Sequence, residues 1–154
     1  VEQPILLVGK KLTSGQKEFL SNYTNRDFFI IGGPAAVSDD IFYELGNYGM
    51  VERIGGATRY ETSVKVAERF FDDPNTAVLA YAKNFPDGLC AGPLAMTKNA
   101  PLILTATGAE NAAVKYARSE QIWVGAVLGG SGLISDESVI QIFDLDATDN
   151  FKIW

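Results

Sequence analysis

Short apolar runs alternate along this chain with segments in which apolar residues recur every three or four positions. The runs have the length of buried strands and lie at residues 4–8, 28–31, 51–54, 77–82, 101–104 and 122–128. Between the runs, positions such as Tyr60, Val64, Ala67 and Phe71 predict amphipathic helices. Strands that alternate with helices form βα units, so we predict an α/β fold with a mostly parallel sheet.

Residues that cap helices mark several of the predicted helix starts. Thr13 with Gln16, and Thr58 with Glu61, have the spacing of a capping box, in which side chains satisfy the free backbone donors of a helix start. Ser38 is a further predicted cap.

Other local features predict how elements pack and end. Gly92–Pro93 is expected to interrupt or kink the helix that begins near Pro86, because proline lacks the helical N–H donor. Residues 151–154 are a candidate last strand. The helix after Thr13 is expected to bury Leu12, Phe19, Leu20 and Tyr23.

The sequence contains an internal repeat with one constant offset. Matching segments lie 97 positions apart, without a gap, at Pro4–Leu7 and Pro101–Leu104, Ile31–Gly33 and Leu128–Gly130, and Val37–Asp40 and Ile134–Glu137. A shared offset through strand, turn and helix cap indicates a duplicated unit. The chain holds about one and a half repeats: we predict that residues 1–50 are the C-terminal half of one repeat and residues 51–154 a full repeat.

The joint at Gly55–Gly56 leads directly into a helix with Arg59 in its first turn, where a cation opposes the helix dipole. Two interpretations are open. The joint is a plain strand–turn–helix connection, with Arg59 placed over a neighbouring element or paired with a carboxylate. Alternatively, the N–H groups of the helix start, the glycines and the guanidinium hold an anion. The glycine spacing is that of neither common nucleotide loop.

Charge and composition narrow the class of partner. The net charge of −6 and the pI near 4.6 disfavour nucleic acid, and any anionic ligand requires a local basic cluster. No apolar run reaches the roughly 18 residues of a membrane span, and no signal peptide opens the chain. Because the sequence starts next to a strand-like run, we interpret it as a fragment of a longer protein.

The residue types for most catalytic and metal chemistry are scarce. The chain has no histidine, so it lacks the usual general base and the commonest metal ligand, which disfavours hydrolase and zinc chemistry. Our prediction names no catalytic residue, metal or cofactor. Cys90 is the only cysteine, and its place in an apolar helix predicts a buried, inert thiol. Asn84 and Asp87 suit either the capping of helix-start amides or ligand binding.

Several motifs together resemble the cell wall binding repeat 2 family, whose modules occur in tandem on surface proteins of Gram-positive bacteria. The resemblance covers nearly the whole chain and is carried by Arg53–Thr62, Asn84–Leu89, Ala91–Ala95, Ala100–Leu104 and the turn from Gly129 to Ser135. It implies a Toprim-like, Rossmann-like three-layer module that packs with two others around a pseudo-threefold axis.

The same resemblance implies a non-catalytic, secreted cell-wall anchor that binds an anionic wall polysaccharide or teichoic-acid-like polymer. It also implies other repeats of the same kind as partners, which for this chain includes a homo-oligomer. The family ties its short apolar signature to polymer binding. The signature occurs here as Ile5, Leu6 and Leu7, and again with branched and unbranched residues exchanged at Leu102–Leu104.

The candidate polymer contacts combine these residues with cations at predicted strand ends. They are Arg53, Arg59, Lys83, Asn84, Lys10, Lys11, Ile5, Leu6 and Leu7. The alternative is a set of solvated surface charges. At the level of function, the alternatives are a small α/β enzyme or phosphate-ligand-binding domain that uses the Gly-Gly turns, and an architectural spacer that binds nothing.

Overall fold

The computed structural model describes residues 4–84 and 86–146. Helices and strands alternate as predicted, in the order α1 (Ser14–Ser21), β1 (Arg26–Ile31), α2 (Asp39–Leu45), β2 (Gly49–Ile54), α3 (Arg59–Phe70), β3 (Thr76–Tyr81), α4 (Pro86–Lys98), β4 (Leu102–Thr105), α5 (Asn111–Ser119), β5 (Val124–Leu128) and α6 (Asp136–Phe143). The chain divides into two compact units, one up to Ala57 and one from Thr58. The α/β class is confirmed.

The first unit is built on a two-stranded parallel sheet. β1 and β2 pair from Arg26 opposite Gly49 to Ile31 opposite Ile54. The helices α1 and α2 supply most of the core residues of this unit, which are Leu12, Leu20, Ile30, Ile41 and Leu45.

The second unit has three layers. Its parallel sheet has the order β4-β3-β5, and α4 packs on one face through a cluster that includes Val78, Ala80, Ala91 and Ala95. Successive side chains of a strand point to opposite faces, so Ala77 and Leu79 join the other cluster, which holds residues of α3, α5 and α6. The central strand β3 is therefore buried on both faces, as its apolar run predicts.

The internal repeat is also present in the backbone. The helices α5 and α6 begin 97 positions after α1 and α2. Gly32 and Gly129, also 97 positions apart, both have positive φ, 123° and 135°, which L-residues rarely adopt. The compact units divide after Ala57 because β2 pairs with β1. The predicted boundary between the two repeats, near residue 50, concerns which sequence segments are duplicated, and it stays a prediction.

Two of the predicted caps are confirmed in atomic detail. The Oγ1 atoms of Thr13 and Thr58 accept hydrogen bonds from the backbone N–H groups of Gln16 (3.3 Å) and Glu61 (3.2 Å). Ser38 stands at the N-cap of α2, but its side chain makes no capping hydrogen bond. The predicted strand at residues 151–154 lies outside the described residues.

The prediction of a buried strand at residues 4–8 is wrong. These residues form no strand, and Ile5 and Leu7 are 89% and 85% exposed. The equivalent segment of the second unit, β4, is a strand because β3 lies beside it and supplies backbone partners. Among residues 4–84 and 86–146, no strand pairs with residues 4–8 in the way that β3 pairs with β4.

Other packing predictions fail because each helix buries only a narrow stripe. Phe19 and Tyr23 are each 41% exposed, and their rings contact each other at a tilt of 39°, with centroids 4.8 Å apart. Cys90 is exposed, contrary to prediction, since the buried positions of α4 are the neighbouring Ala91 and Ala95. Pro93 does not interrupt α4, which continues to Lys98 with the proline on its exposed side.

Candidate functional site

The candidate site lies in the second unit, where the three parallel strands end. We name as the carboxyl edge the residues that directly follow β3, β4 and β5, namely 82–84, 106–108 and 129–130. Open parallel sheets bind ligands at this edge because loops and helix starts converge there.

Arg59 reaches the carboxyl edge from the start of α3. Its Nη1 donates a hydrogen bond to the carbonyl oxygen of Ala82 at 2.8 Å, while the residue as a whole is exposed. Lys83 and Asn84 follow Ala82 directly, and both are exposed. The structure therefore brings three of the predicted site residues, Arg59, Lys83 and Asn84, to one place.

Asp87 adds a negative charge to the same edge. It lies in the first turn of α4, where a carboxylate is favoured by the helix dipole. Its Oδ2 would be 3.6 Å from a Cβ atom placed on Gly129. The edge thus combines a guanidinium, an ammonium, an amide and a carboxylate, which is a set of groups suited to hydroxyl-rich and charged ligands.

A network of hydroxyl groups and one carboxylate supports the loop after β4. The backbone N–H of Ser135 donates to Thr107 Oγ1 at 2.8 Å, and the N–H of Gly108 donates to Glu110 Oε1 at 2.7 Å. The hydroxyl of Ser138, which is 3% exposed, also donates to Glu110 Oε1. These bonds tie the loop to the start of α6.

The hydrogen bonds determine the acidity of Glu110. Burial acts to raise the pKa of its carboxyl group, but the bonds from Ser138 and from the N–H of Gly108 outweigh burial and lower the pKa below the usual 4.5. The ionised carboxylate therefore stabilises the folded state.

Glu110→Gln is expected to remove a pH-dependent part of the stability. Because the folded pKa lies below the unfolded one, the stabilisation is fully present above the unfolded value and is lost as the pH falls through the folded value. At pH 7 we expect the variant to be less stable by about 1–2 kcal/mol. Urea unfolding at pH 7 and at pH 3 measures this difference; a gap that stays constant with pH contradicts the assignment.

Arg53, in the first unit, forms hydrogen bonds to the loop between β1 and α2. Its Nη1 donates to the carbonyl oxygens of Gly32 (3.0 Å) and Val37 (2.7 Å), and its Nη2 pairs with Asp39 Oδ1 (3.0 Å). The side chain is only 17% exposed, and its guanidinium lies 5.6 Å from the ring centroid of Phe42. These contacts join the end of β2 to the loop between β1 and α2.

The remaining predicted residues of the first unit lie at its surface. Lys10 and Lys11 are exposed and precede α1. Leu6 is 37% exposed and lies between the more exposed Ile5 and Leu7. The backbone oxygen of Leu7 accepts a hydrogen bond from Gln16 Nε2 at 2.7 Å.

The support beneath the carboxyl edge is not evident from the sequence. Thr107, Glu110 and Ser138 are absent from the predicted site, although Thr107 follows a buried strand within two residues and Ser135 lies three residues before Ser138. Those spacings are typical of turn and cap hydrogen bonds. Sequence spacing alone, however, does not show that the side chains of Glu110 and Ser138 meet.

Metal-ligand clusters and membrane-spanning helices are both missing from the described residues. Among residues 4–84 and 86–146, no group of three or more His, Cys, Asp or Glu side chains is placed to hold a metal ion. None of the helices in that part of the chain combines the length and apolar character needed to cross a bilayer.

Comparisons with known proteins place these elements in a family. The family model of Cell wall binding domain 2 (CWB2) matches residues 53–139, from the end of β2 into α6. The N-acetylmuramoyl-L-alanine amidase LytC of Bacillus subtilis is 31% identical over 96 residues, which are 62% of this chain and 19% of that protein.

Two solved structures from Clostridium difficile share the fold. Cwp6 superposes with a TM-score of 0.69 at 24% identity, and Cwp8 with 0.63 at 26% identity. The matches cover 83% and 80% of this chain and 21% of each of those chains, so this chain spans about a fifth of the proteins compared. Since the family model covers more than half of the residues, the chain belongs to the Cell wall binding domain 2 family and contains a cell wall binding module.

Proposed function

We propose that the carboxyl edge of the second unit binds an anionic secondary polymer of the cell wall, a polysaccharide or a teichoic-acid-like chain, and so anchors a surface protein without catalysis. The observation that carries the proposal is the place of Arg59 beside Ala82, next to the exposed Lys83 and Asn84. Arg59 begins a helix inside the matched family segment.

The chemistry of the edge suits such a polymer. A guanidinium donates two parallel hydrogen bonds to a phosphate or carboxylate, and a lysine adds a compact positive charge. Asn84 and Asp87 can bond sugar hydroxyl groups between the charged positions. The two cations act against a net charge of −6, so each contact is weak, and repeated modules on one polymer supply the avidity.

The wider assignment extends to the first unit and to the whole protein. Lys10 and Lys11 are exposed and suit contacts with the same polymer, whereas the donors of Arg53 are directed into its own unit. Other repeats of this kind are the proposed protein partners. The parent protein would be secreted and held at the cell surface.

Binding to purified cell walls tests the proposal. Walls with their anionic polymers should retain the chain at low salt and release it at high salt, because salt screens contacts between exposed charges. Walls stripped of those polymers should retain it poorly. Equal retention by stripped walls contradicts polymer binding, and turnover of a phosphorylated or glycan substrate would favour the enzyme alternative instead.

Arg59→Ala is expected to weaken polymer binding about 10-fold or more, since one charge-assisted bidentate contact is worth about 1.5–3 kcal/mol. The expected reason is the loss of the guanidinium at the carboxyl edge. Fluorescence titration with the purified polymer measures the change, and circular dichroism checks the fold.

Lys98→Ala is the matched control for Arg59→Ala. It removes one positive charge at the far end of α4, where the helix has run back to the opposite edge of the same sheet. Its binding should stay within about twofold of the wild type, because exposed charges beyond a Debye length are largely screened. Equal losses in both variants would mean that net charge, and not the carboxyl edge, governs retention.

A further inference from the structure

The side chain of Ser63 joins the start of α3 to the outer strand of the second unit's sheet. Its hydroxyl accepts a hydrogen bond from the backbone N–H of Leu104 at 3.0 Å. The same hydroxyl donates to the carbonyl oxygen of Tyr60, one turn earlier in the helix, at 2.8 Å. One half-buried hydroxyl is thus an acceptor and a donor at once, and it connects a helix with a strand 41 residues away in sequence.

The N–H of Leu104 points away from the sheet. The next residue, Thr105, directs its carbonyl oxygen toward the central strand, where it accepts from the N–H of Ala82 at 2.9 Å. Backbone groups of successive residues in a strand point to alternate sides, so the N–H of Leu104 lies on the outer side of β4. No described strand lies beyond β4. Ser63 therefore supplies the acceptor that a further strand would otherwise supply.

These bonds are part of a circuit that includes Arg59. The carbonyl oxygen of Ala82 accepts from Arg59 Nη1 at 2.8 Å, and the N–H of Ala82 donates to Thr105. Arg59 and Ser63 stand four residues apart in α3, and residues with that spacing lie on the same face of a helix. The contacts run from Ser63 through the ends of β4 and β3 to the guanidinium, and the helix completes the circuit.

We propose that Ser63 is a positioning residue for polymer binding at the carboxyl edge. Its two hydrogen bonds fix the first turn of α3 against β4, and this fixes where Arg59 presents its guanidinium. The inference rests on the proposed function, in which that guanidinium contacts the anionic polymer.

The physical basis is preorganisation of a long side chain. An arginine loses rotamer freedom when it is ordered, and that loss opposes binding. A guanidinium that is already placed at Ala82 has lost part of this freedom before the polymer arrives. The bond to Ala82 uses one of its five N–H donors. Movement of α3 away from β4 would separate Arg59 from Ala82 and remove this advantage.

Ser63→Ala is expected to weaken binding of the anionic polymer extracted from purified walls by about 5-fold, which corresponds to the loss of one neutral hydrogen bond. Fluorescence titration of the whole chain measures the change. The matched control is Ser119→Ala, since Ser119 donates to the carbonyl oxygen of Tyr116, three residues before it, as Ser63 does to Tyr60. Ser119 ends α5, and its replacement should leave binding within about twofold of the wild type.

A double variant separates positioning from a general loss of stability. Ser63→Ala made in the Arg59→Ala chain should cause less than about a twofold further loss of binding, because a residue that acts through Arg59 has no effect without it. Ser63→Ala should also reduce the salt dependence of binding, although it changes no charge, since a displaced guanidinium contributes less to the ionic contact. Additive losses in the double variant would overturn the positioning role.

Two further measurements keep the proposal falsifiable whatever the stability of Ser63→Ala. In the wild type, the amide of Leu104 should exchange at least about 10-fold more slowly than an unprotected amide, and rapid exchange would overturn the proposal. Ser63→Thr keeps the hydroxyl and should bind within about twofold of the wild type. Binding as weak as that of Ser63→Ala, with the Leu104 amide still protected, would overturn it as well.

The outcomes also distinguish this proposal from the function on which it rests. If Arg59→Ala leaves binding unchanged, the proposed function fails, and the role of Ser63 fails with it. If Arg59→Ala weakens binding while Ser63→Ala does not, the carboxyl edge remains the binding site and only the positioning role is overturned.

Discussion

Replacement of Gly125 by alanine is expected to destabilise the second unit by about 3 kcal/mol, the upper end of the range for overpacked cores. A Cβ atom on Gly125 would lie 2.2 Å from Cζ of Phe143 and 2.6 Å from the carbonyl oxygen of Ala77. Phe143 is a buried core residue at 3% exposure, and Ala77 belongs to the paired strand β3. Neither neighbour can yield without disturbing the sheet or the core.

Gly132→Ala is the control for this prediction, because nothing lies within 4 Å of a Cβ atom at that position. Its stability should stay within about 0.5 kcal/mol of the wild type. Urea midpoints followed by circular dichroism measure both variants, and hydrogen exchange shows which unit opens. If Gly125→Ala unfolds at the wild-type midpoint, the close packing of β5 against Phe143 is incorrect.

The two repeats place a glycine and a phenylalanine in opposite order at the positions of Gly125 and Phe143. Ninety-seven positions before Gly125 and Phe143 stand Phe28 and Gly46. The large residue is therefore on the strand in the first unit and near the helix end in the second. Exchanges that conserve volume are the changes that packed cores tolerate best.

Arg53→Ala is expected to destabilise the first unit by about 3 kcal/mol, although the sequence predicts Arg53 as a polymer contact. The guanidinium satisfies the carbonyl oxygens of Gly32 and Val37 and pairs with Asp39. Its removal leaves partly buried acceptors without a donor, and that loss costs more than a surface ion pair contributes. Hydrogen exchange of β1 and β2 should accelerate, while exchange in β3 should not.

Arg118→Ala serves as the comparison for Arg53→Ala. Its guanidinium lies 3.7 Å from Asp144, and both side chains are more than half exposed. Such pairs contribute less than about 1 kcal/mol, so this variant should unfold almost like the wild type. Equal losses for the two arginines would show that Arg53 does not anchor the loop.

These predictions separate two arginines that the sequence presents alike. Arg53 and Arg59 stand six residues apart, on either side of the Gly55–Gly56 turn, and both qualify as candidate anion ligands. The structure directs the first into its own loop and leaves the second exposed at the carboxyl edge. The two arginines differ in their hydrogen-bond partners, which lie 14 or more residues away along the chain. The spacing of residues in the sequence does not predict such partners.

The sequence by itself determined the α/β class, the order of the strands and helices, the caps at Thr13 and Thr58, and the internal repeat. These features depend on local propensity and on periodicity, which neighbouring residues specify. The same is true of the Gly-Gly turns, since positive φ at Gly32 and Gly129 is a local requirement of the backbone.

Only the tertiary structure decided which apolar segments are buried. Residues 4–8 and residues 102–105 have nearly the same apolar pattern, yet one segment is exposed and the other is a strand of the core sheet. The physical reason is that a strand is stabilised by the backbone partners and side chains beside it, and β3 supplies them to one copy only.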